Sequence, residues 1–205
     1  MSHRRIAREP LWRPDAHFTS DQLPASVRPW LLDDGSLTVR LIELNRGPFS
    51  VHRLYQGWET PLLSEQKLLA LPPRQLSLER EVLLRLGSEA VVFARSVFPY
   101  ASLTGSLGHL RRLQNRSLGA IMVRHPGMRR SPFELAHMPG NSDYLPRAQR
   151  QDGHAWGRRC RFEIEGKSLL VSEVFLEKFT PWSAPLPVHR TQRGIVSAAI
   201  VPPTK

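Results

Sequence analysis

A single cysteine, Cys160, is all the thiol chemistry this 205-residue chain has. It excludes an internal disulfide and a cysteine-rich zinc site, so nothing in the sequence asks for an oxidising compartment. Long apolar runs are also missing. No segment offers the roughly 18 uninterrupted apolar residues of a membrane-spanning helix, and the arginine-bearing start, residues 1–10, lacks the apolar stretch of an export signal. A cytoplasmic protein that is not an integral membrane protein is expected. Glycine-rich phosphate loops are absent too: neither GxxxxGK nor GxGxxG occurs, and Gly105 and Gly108 are wrongly placed for such a cradle. The eight histidines contain no HExxH-like pair, so neither a metal nor a nucleotide cofactor is expected. No Ser-His-Asp assignment can be defended, because any chain of this length holds those residue types.

Positive charge is what the chain has in excess, formally +11. Its arginines are scattered, and clusters such as Arg158, Arg159 and Arg161 sit among strand-like residues, so no nucleic-acid partner is expected. The same field draws in a dianionic metabolite. Apolar residues make up 40% of the chain and recur in spaced patterns, which points to one folded core. The expected organisation is a flexible lead-in over 1–20, a domain over 21–179 and a proline-rich tail over 180–205. The oligomeric state is not set by the sequence, and a monomer is the working expectation.

Residues 24–32 read as a short helix with Pro24 near its first turn, and Ser36 as the N-cap of a second through Leu37, Leu41 and Leu44, ended by Asn45 and Gly47. From Phe49 the period changes to two. Residues 76–86 and 89–99 form a hairpin around Gly87-Ser88, and residues 159–165 and 168–176 a second around Gly166-Lys167. Between them, 103–113 has helical spacing, 118–123 is a short apolar stretch, 133–136 adds a strand, and 138–153 is a long loop. Hairpin-linked strands with helices grouped outside them indicate an α+β domain on a single antiparallel sheet.

Residues two apart on a strand share a face. The row Leu76, Leu78, Arg80, Val82, Leu84 therefore places one arginine among apolar neighbours. The row Val91, Phe93, Arg95, Val97 does the same, and Leu169, Val171, Glu173, Phe175 holds a lone carboxylate. Buried ions need partners. Either Arg80 or Arg95 pairs with Glu173 in a structural salt bridge, or one row faces solvent, or an arginine fork grips a ligand carboxylate while Glu173 addresses the ligand's other end. In that last case apolar walls would raise the pKa of Glu173, which suits a hydrogen-bond donor or general acid. Ser117 in Asn115-Arg116-Ser117-Leu118-Gly119 is either an ordinary helix cap or one that exposes the amides of Leu118 and Gly119 to an anion.

Several blocks in order carry a wider likeness: Trp30-Leu31-Leu32-Asp33, Arg80-Glu81-Val82-Leu83-Leu84, Ala94-Arg95-Ser96-Val97-Phe98-Pro99, Ser117-Leu118-Gly119, Trp156-Gly157-Arg158-Arg159 and the run from Leu169 to Leu176. Over residues 25–178 the chain resembles the bacterial chorismate lyases of ubiquinone biosynthesis, which convert chorismate into 4-hydroxybenzoate and pyruvate. The resemblance implies a six-stranded antiparallel sheet with helices packed against it and helical flaps over a buried ligand site. It implies that Arg80 binds the ring carboxylate with help from the backbone around Leu118, and that Glu173 reaches the product's hydroxyl. It puts the family's early binding position at Leu37, where a methionine is expected and where a contact through the backbone would make leucine harmless. It matches Arg95 to the family's other strand arginine, preceded here by Ala94 where a glycine is usual. Arg80 and Arg95 would then hold the two carboxylates of chorismate, without a cofactor, and an enclosed product would leave slowly. The competing reading is an effector-sensing domain of related fold that binds a small aromatic acid without transforming it. Such sensors carry a DNA-binding domain ahead of the pocket, and only about 25 residues precede the matched region.

Overall fold

The computed structural model describes residues 6, 8–122, 125 and 127–183. A two-residue strand, β1 (Arg13–Pro14), precedes helices α1 (Arg28–Leu31) and α2 (Leu37–Glu43). The first helix is shorter than the expected 24–32. Pro29 has no N–H, so the turn that bonds Val27 and Arg28 to the Pro24 carbonyl does not run on continuously into the turn closed by Leu32 on Arg28. Ser36 caps α2 by accepting from the Val39 amide at 3.5 Å, and Asn45 and Gly47, both at positive φ, turn the chain away from it.

Strand β2 (Phe49–Glu59) follows, then α3 (Leu63–Leu68), then the expected hairpin of β3 (Ser77–Leu86) and β4 (Glu89–Pro99). Residues Gly105–Arg112 wind as a 3-10 helix, whose tighter turns suit a segment with two glycines among its eight residues. Its buried side chains are Leu107 and Leu110, and Leu103 and Leu113 flank it in the same apolar cluster. Helix α4 (Leu118–Met122), the two-residue β5 (Arg129–Arg130), β6 (Glu134–Pro139), β7 (His154–Ile164) and β8 (Lys167–Phe175) complete the domain. The second hairpin turns at Glu165 and Gly166, both at positive φ, one residue earlier than the sequence suggests.

All pairings are antiparallel, in the order β1-β6-β7-β8-β4-β3-β2, with β5 joined to β7. The sheet thus has eight strands and not six: β1 and β5, two residues each, are too short to carry a period. Residues 8–20, expected as a flexible lead-in, pack on the domain. Trp12 and Phe18 are buried, and Glu9 accepts the Leu63 and Ser64 amides at 2.9 and 3.0 Å, capping α3. At the other end Phe179 meets Trp30 and Trp182 edge-on, and the tail from residue 184 lies outside the described residues.

Both faces of the sheet are covered. Trp30, Leu31, Leu37 and Leu41 pack on Val82, Leu84 and Phe175, while Leu107, Leu110, Leu118 and Met122 pack on Leu78, Phe98 and Leu169, so α1, α2, the 3-10 helix and α4 all lie over this first face. Trp12, Tyr144 and Leu145 cover Leu83, Phe93 and Val174 on the second face, where Leu69, just beyond α3, meets Val97 and Leu170.

Candidate active site

Strand register decides which charged rows meet. Directly paired residues point to the same side, and the pairings run Arg80–Ser96–Val171–Cys160 and, two residues along, Val82–Ala94–Glu173–Arg158. Arg80 and Glu173 therefore share the first face, two strands and two residues apart, about 12 Å between backbones. Ala94 and Ser96 between them are small. Over this floor stand the starts of α2 and α4, held together by a 2.6 Å hydrogen bond between Thr38 Oγ1 and Ser117 Oγ. Gly119 fits there closely, since a Cβ on it would meet Ser36 Oγ at 3.4 Å.

A small, partly open cavity lies between floor and helices. Leu37 and Leu118 form its roof, Cys160, Phe162, Val171 and Glu173 its floor, and Arg130, Phe133 and Arg158 one side. Leu37, Leu118 and Glu173 thus line one cavity. Glu173 is 19% exposed and so still presents surface to the cavity. Its surroundings are not purely apolar, contrary to the row reading: Arg158 Nε donates to Glu173 Oε2 at 2.7 Å. Arg158 Nη1 donates to the carbonyls of Trp30 and Asp33 at 2.8 and 2.9 Å, satisfying backbone oxygens at the end of α1. Sequence reasoning missed Arg158 as Glu173's partner. The signal was present in the row Trp156, Arg158, Cys160, Phe162, Ile164, another apolar row interrupted by one charge.

Arg80 is 2% exposed and stands behind the cavity wall, on the same rung as Val171. Its Nε and Nη2 donate to the Gln114 carbonyl at 3.2 and 2.8 Å, and Nη2 also to that of Arg116 at 2.8 Å. This fixes the segment that delivers Leu118. Among the described residues no partner meets Nη1 and no carboxylate pairs with the guanidinium, and the residues outside the description contain no aspartate or glutamate. Burial, aided by nearby Arg53, brings the Arg80 pKa down to about 10, which leaves it a cation at neutral pH. Burial also pushes the Cys160 thiol up to about 12, so this cavity residue is an uncharged wall and not a nucleophile.

Arg95 is not brought to this site. The register pairs Arg80 with Ser96, not with Arg95, so the two arginine rows face opposite sides of the sheet. On the second face Arg95 Nε and Nη2 lie 2.8 and 3.1 Å from the two oxygens of Glu65, with Glu79 at 2.8 Å and Glu81 at 3.1 Å. The side chain of Arg159 is turned the same way, donating to Glu134 and to Ser64 at 2.7 and 2.8 Å. Burial, with the charges of Glu65 and Glu81, raises Glu79 to about 7 against the pull of Arg95. A carboxyl that holds its proton longer in the folded state contributes stability below its unfolded pKa of 4.5, and that contribution is lost as pH rises through 7. Glu79→Gln is therefore expected to raise the melting temperature relative to the parent more at pH 8 than at pH 5, in a span worth about 3 kcal/mol. An identical offset at both pH values in scanning fluorimetry would contradict this.

Fold and site together define a class: an α+β domain enclosing a small cavity between one sheet face and two helix starts. The crystallised C-terminal domain of PhnF has this fold, at a TM-score of 0.52 and 12% identity over 71% of this chain and 92% of that one. The chain belongs to the chorismate lyase family, whose profile matches residues 7–183. "Probable chorismate pyruvate-lyase 2" of Pseudomonas fluorescens (strain Pf0-1) is 41% identical over 176 residues, 85% of this chain and 92% of that protein. "Probable chorismate pyruvate-lyase" of Chromohalobacter salexigens is 39% identical over 176 residues, 86% and 93% of the two chains. Among the described residues no helix is long and apolar enough to cross a membrane.

Proposed function

We propose that this protein converts chorismate to 4-hydroxybenzoate and pyruvate, the first committed step of ubiquinone biosynthesis, acting in the cytoplasm as a monomer and without metal or nucleotide. One observation carries the reading: in a chain of this family, a small cavity has a carboxylate on its floor and, on the same sheet face beside that floor, a buried arginine with which no carboxylate of the described residues pairs. The ring carboxylate takes the open Nη1 of Arg80, supported by the backbone at Leu118 and Leu37 as the flanking helix starts separate to admit the ring. Glu173, held in place by Arg158, accepts the C4 hydroxyl and assists proton movement.

The reaction balances within the substrate. The proton on C4 leaves, the electrons of that C–H bond complete the aromatic ring, and the C3–O ether bond breaks with its electrons going to the departing enolpyruvate. The enolate takes up a proton and becomes pyruvate. Aromatisation supplies the driving force, so the site has mainly to orient its substrate and exclude water. The test is to mix purified protein with chorismate, with no added metal or nucleotide, and to follow both products. Equal amounts of 4-hydroxybenzoate and pyruvate, above a protein-free control, are expected. No turnover, with 4-hydroxybenzoate still raising the melting temperature, would replace the lyase reading with the sensing one.

A further inference from the structure

Arg130, on the two-residue strand β5, lines the cavity and has no hydrogen-bonding or ion-pair partner among the described residues. Arg158, beside it in the wall, is tied through Nε to Glu173 and through Nη1 to two backbone carbonyls. The Arg130 guanidinium makes no hydrogen bond or ion pair with another described residue, and its Cζ lies over the Phe133 ring at 4.7 Å from the centroid. Phe133 also carries Arg158 at 5.0 Å, so one buried ring sets the position of both cations. Burial lowers the Arg130 pKa, with Arg158 acting in the same direction and Cys160, Asp34 and Glu173 opposing it.

Its position is a boundary. Arg130 and Phe133 line both the inner cavity and an adjoining outer cleft, whose other walls include Asp15 and Asp34. Those carboxylates disfavour an anion lodged in the cleft, so the anion-binding side of Arg130 is the inner one.

We infer that Arg130 binds the carboxylate of the substrate's enolpyruvyl side chain, at the end of the cavity opposite the ring carboxylate. The inference rests on the proposed lyase reaction, and substrate geometry supplies the rest. In chorismate the ring carboxylate on C1 is para to the C4 hydroxyl, and the enolpyruvyl ether on C3 is next to C4. With C1 directed to Arg80 and C4 to Glu173, the side-chain carboxylate must fall near Glu173, on the wall where Arg130 stands. The arginine assigned to this carboxylate from sequence, Arg95, is on the other face of the sheet among three glutamates. When the C3–O bond breaks, the departing enolpyruvate carries both its carboxylate and the electrons of that bond, and Arg130 faces this charge at the mouth of the outer cleft.

The two products separate this role from a structural one, because 4-hydroxybenzoate keeps the ring carboxylate and loses the side chain. Arg130→Gln is expected to raise the chorismate KM about ten- to hundredfold, the loss of one charge-assisted contact. Inhibition by 4-hydroxybenzoate should change less than about twofold. Arg130→Lys, which keeps the charge without the fork, should recover part of the KM. An unchanged KM in Arg130→Gln overturns the inference, as does an equal loss of affinity for chorismate and 4-hydroxybenzoate. Absence of turnover in the parent protein overturns the lyase reading itself, and this inference with it.

Discussion

Turnover of chorismate is expected to fall by about two orders of magnitude or more in Glu173→Gln, with the melting temperature nearly unchanged. Glutamine has the same shape, and its amide oxygen can still accept from Arg158 Nε, which sits 2.7 Å from Glu173. Arg158 also keeps its bonds to the Trp30 and Asp33 carbonyls, so the link between β7 and the end of α1 survives. What goes is the negative charge that the proposed mechanism sets against the C4 hydroxyl, and with it the strong acceptor and proton relay of that proposal. Alanine is a poorer test, because it strands Arg158, 3% exposed, without its carboxylate and mixes a folding defect into the rate. Initial rates of 4-hydroxybenzoate and pyruvate formation, read beside a thermal melt, decide the matter. Parent-like turnover would remove Glu173 from the mechanism.

The sheet was legible where local chemistry repeats. Both long hairpins follow from a period of two broken at Gly87-Ser88 and at Gly166-Lys167, the second turn falling one residue earlier in the structure, and α2 follows from the Ser36 cap. Helix α3 went unread: Glu65 caps it locally by accepting from the Leu62 amide at 2.9 Å, but its Leu63 and Ser64 amides are met by Glu9, 54 residues before Leu63, a contact no local signal encodes. The edge strands β1 and β5 escape notice because two residues cannot show a period.

For the site, sequence alone found that Arg80, Arg95 and Glu173 are unusual, but not which of them face one another. That depends on register. In a sheet covered on both sides the apolar alternation does not mark an inside, so the Arg80 row and the Arg95 row look equivalent until Ser96 is seen to pair with Arg80. Arg130 carries no sequence signal, since its place beside the cavity is fixed by a two-residue pairing with Phe162 and Glu163 on β7. The two unusual arginines thus belong to different problems, one behind the ligand cavity and one in the stability of the opposite face.

That division predicts the second large effect. Arg95→Met is expected to lower stability by at least about 3 kcal/mol at neutral pH, or roughly 10 °C in melting temperature, while leaving the chorismate KM of the remaining folded protein unchanged. Methionine fills much of the same space, so the loss is electrostatic. Arg95 is 2% exposed and faces Glu65, Glu79 and Glu81, themselves 1–4% exposed at the side chain, and without it these carboxylates stand close together in a desolvated cluster. They would meet that situation by holding their protons, as Glu79 already does at about 7 in the intact cluster. The folded variant then binds more protons than its unfolded chain, and its stability falls as pH rises. The deficit against the parent should accordingly be smaller at pH 5 than at pH 8, in denaturant melts followed by tryptophan fluorescence. A variant of unchanged stability with a tenfold higher KM would mean that substrate reaches Arg95 after all, and would return it to the site.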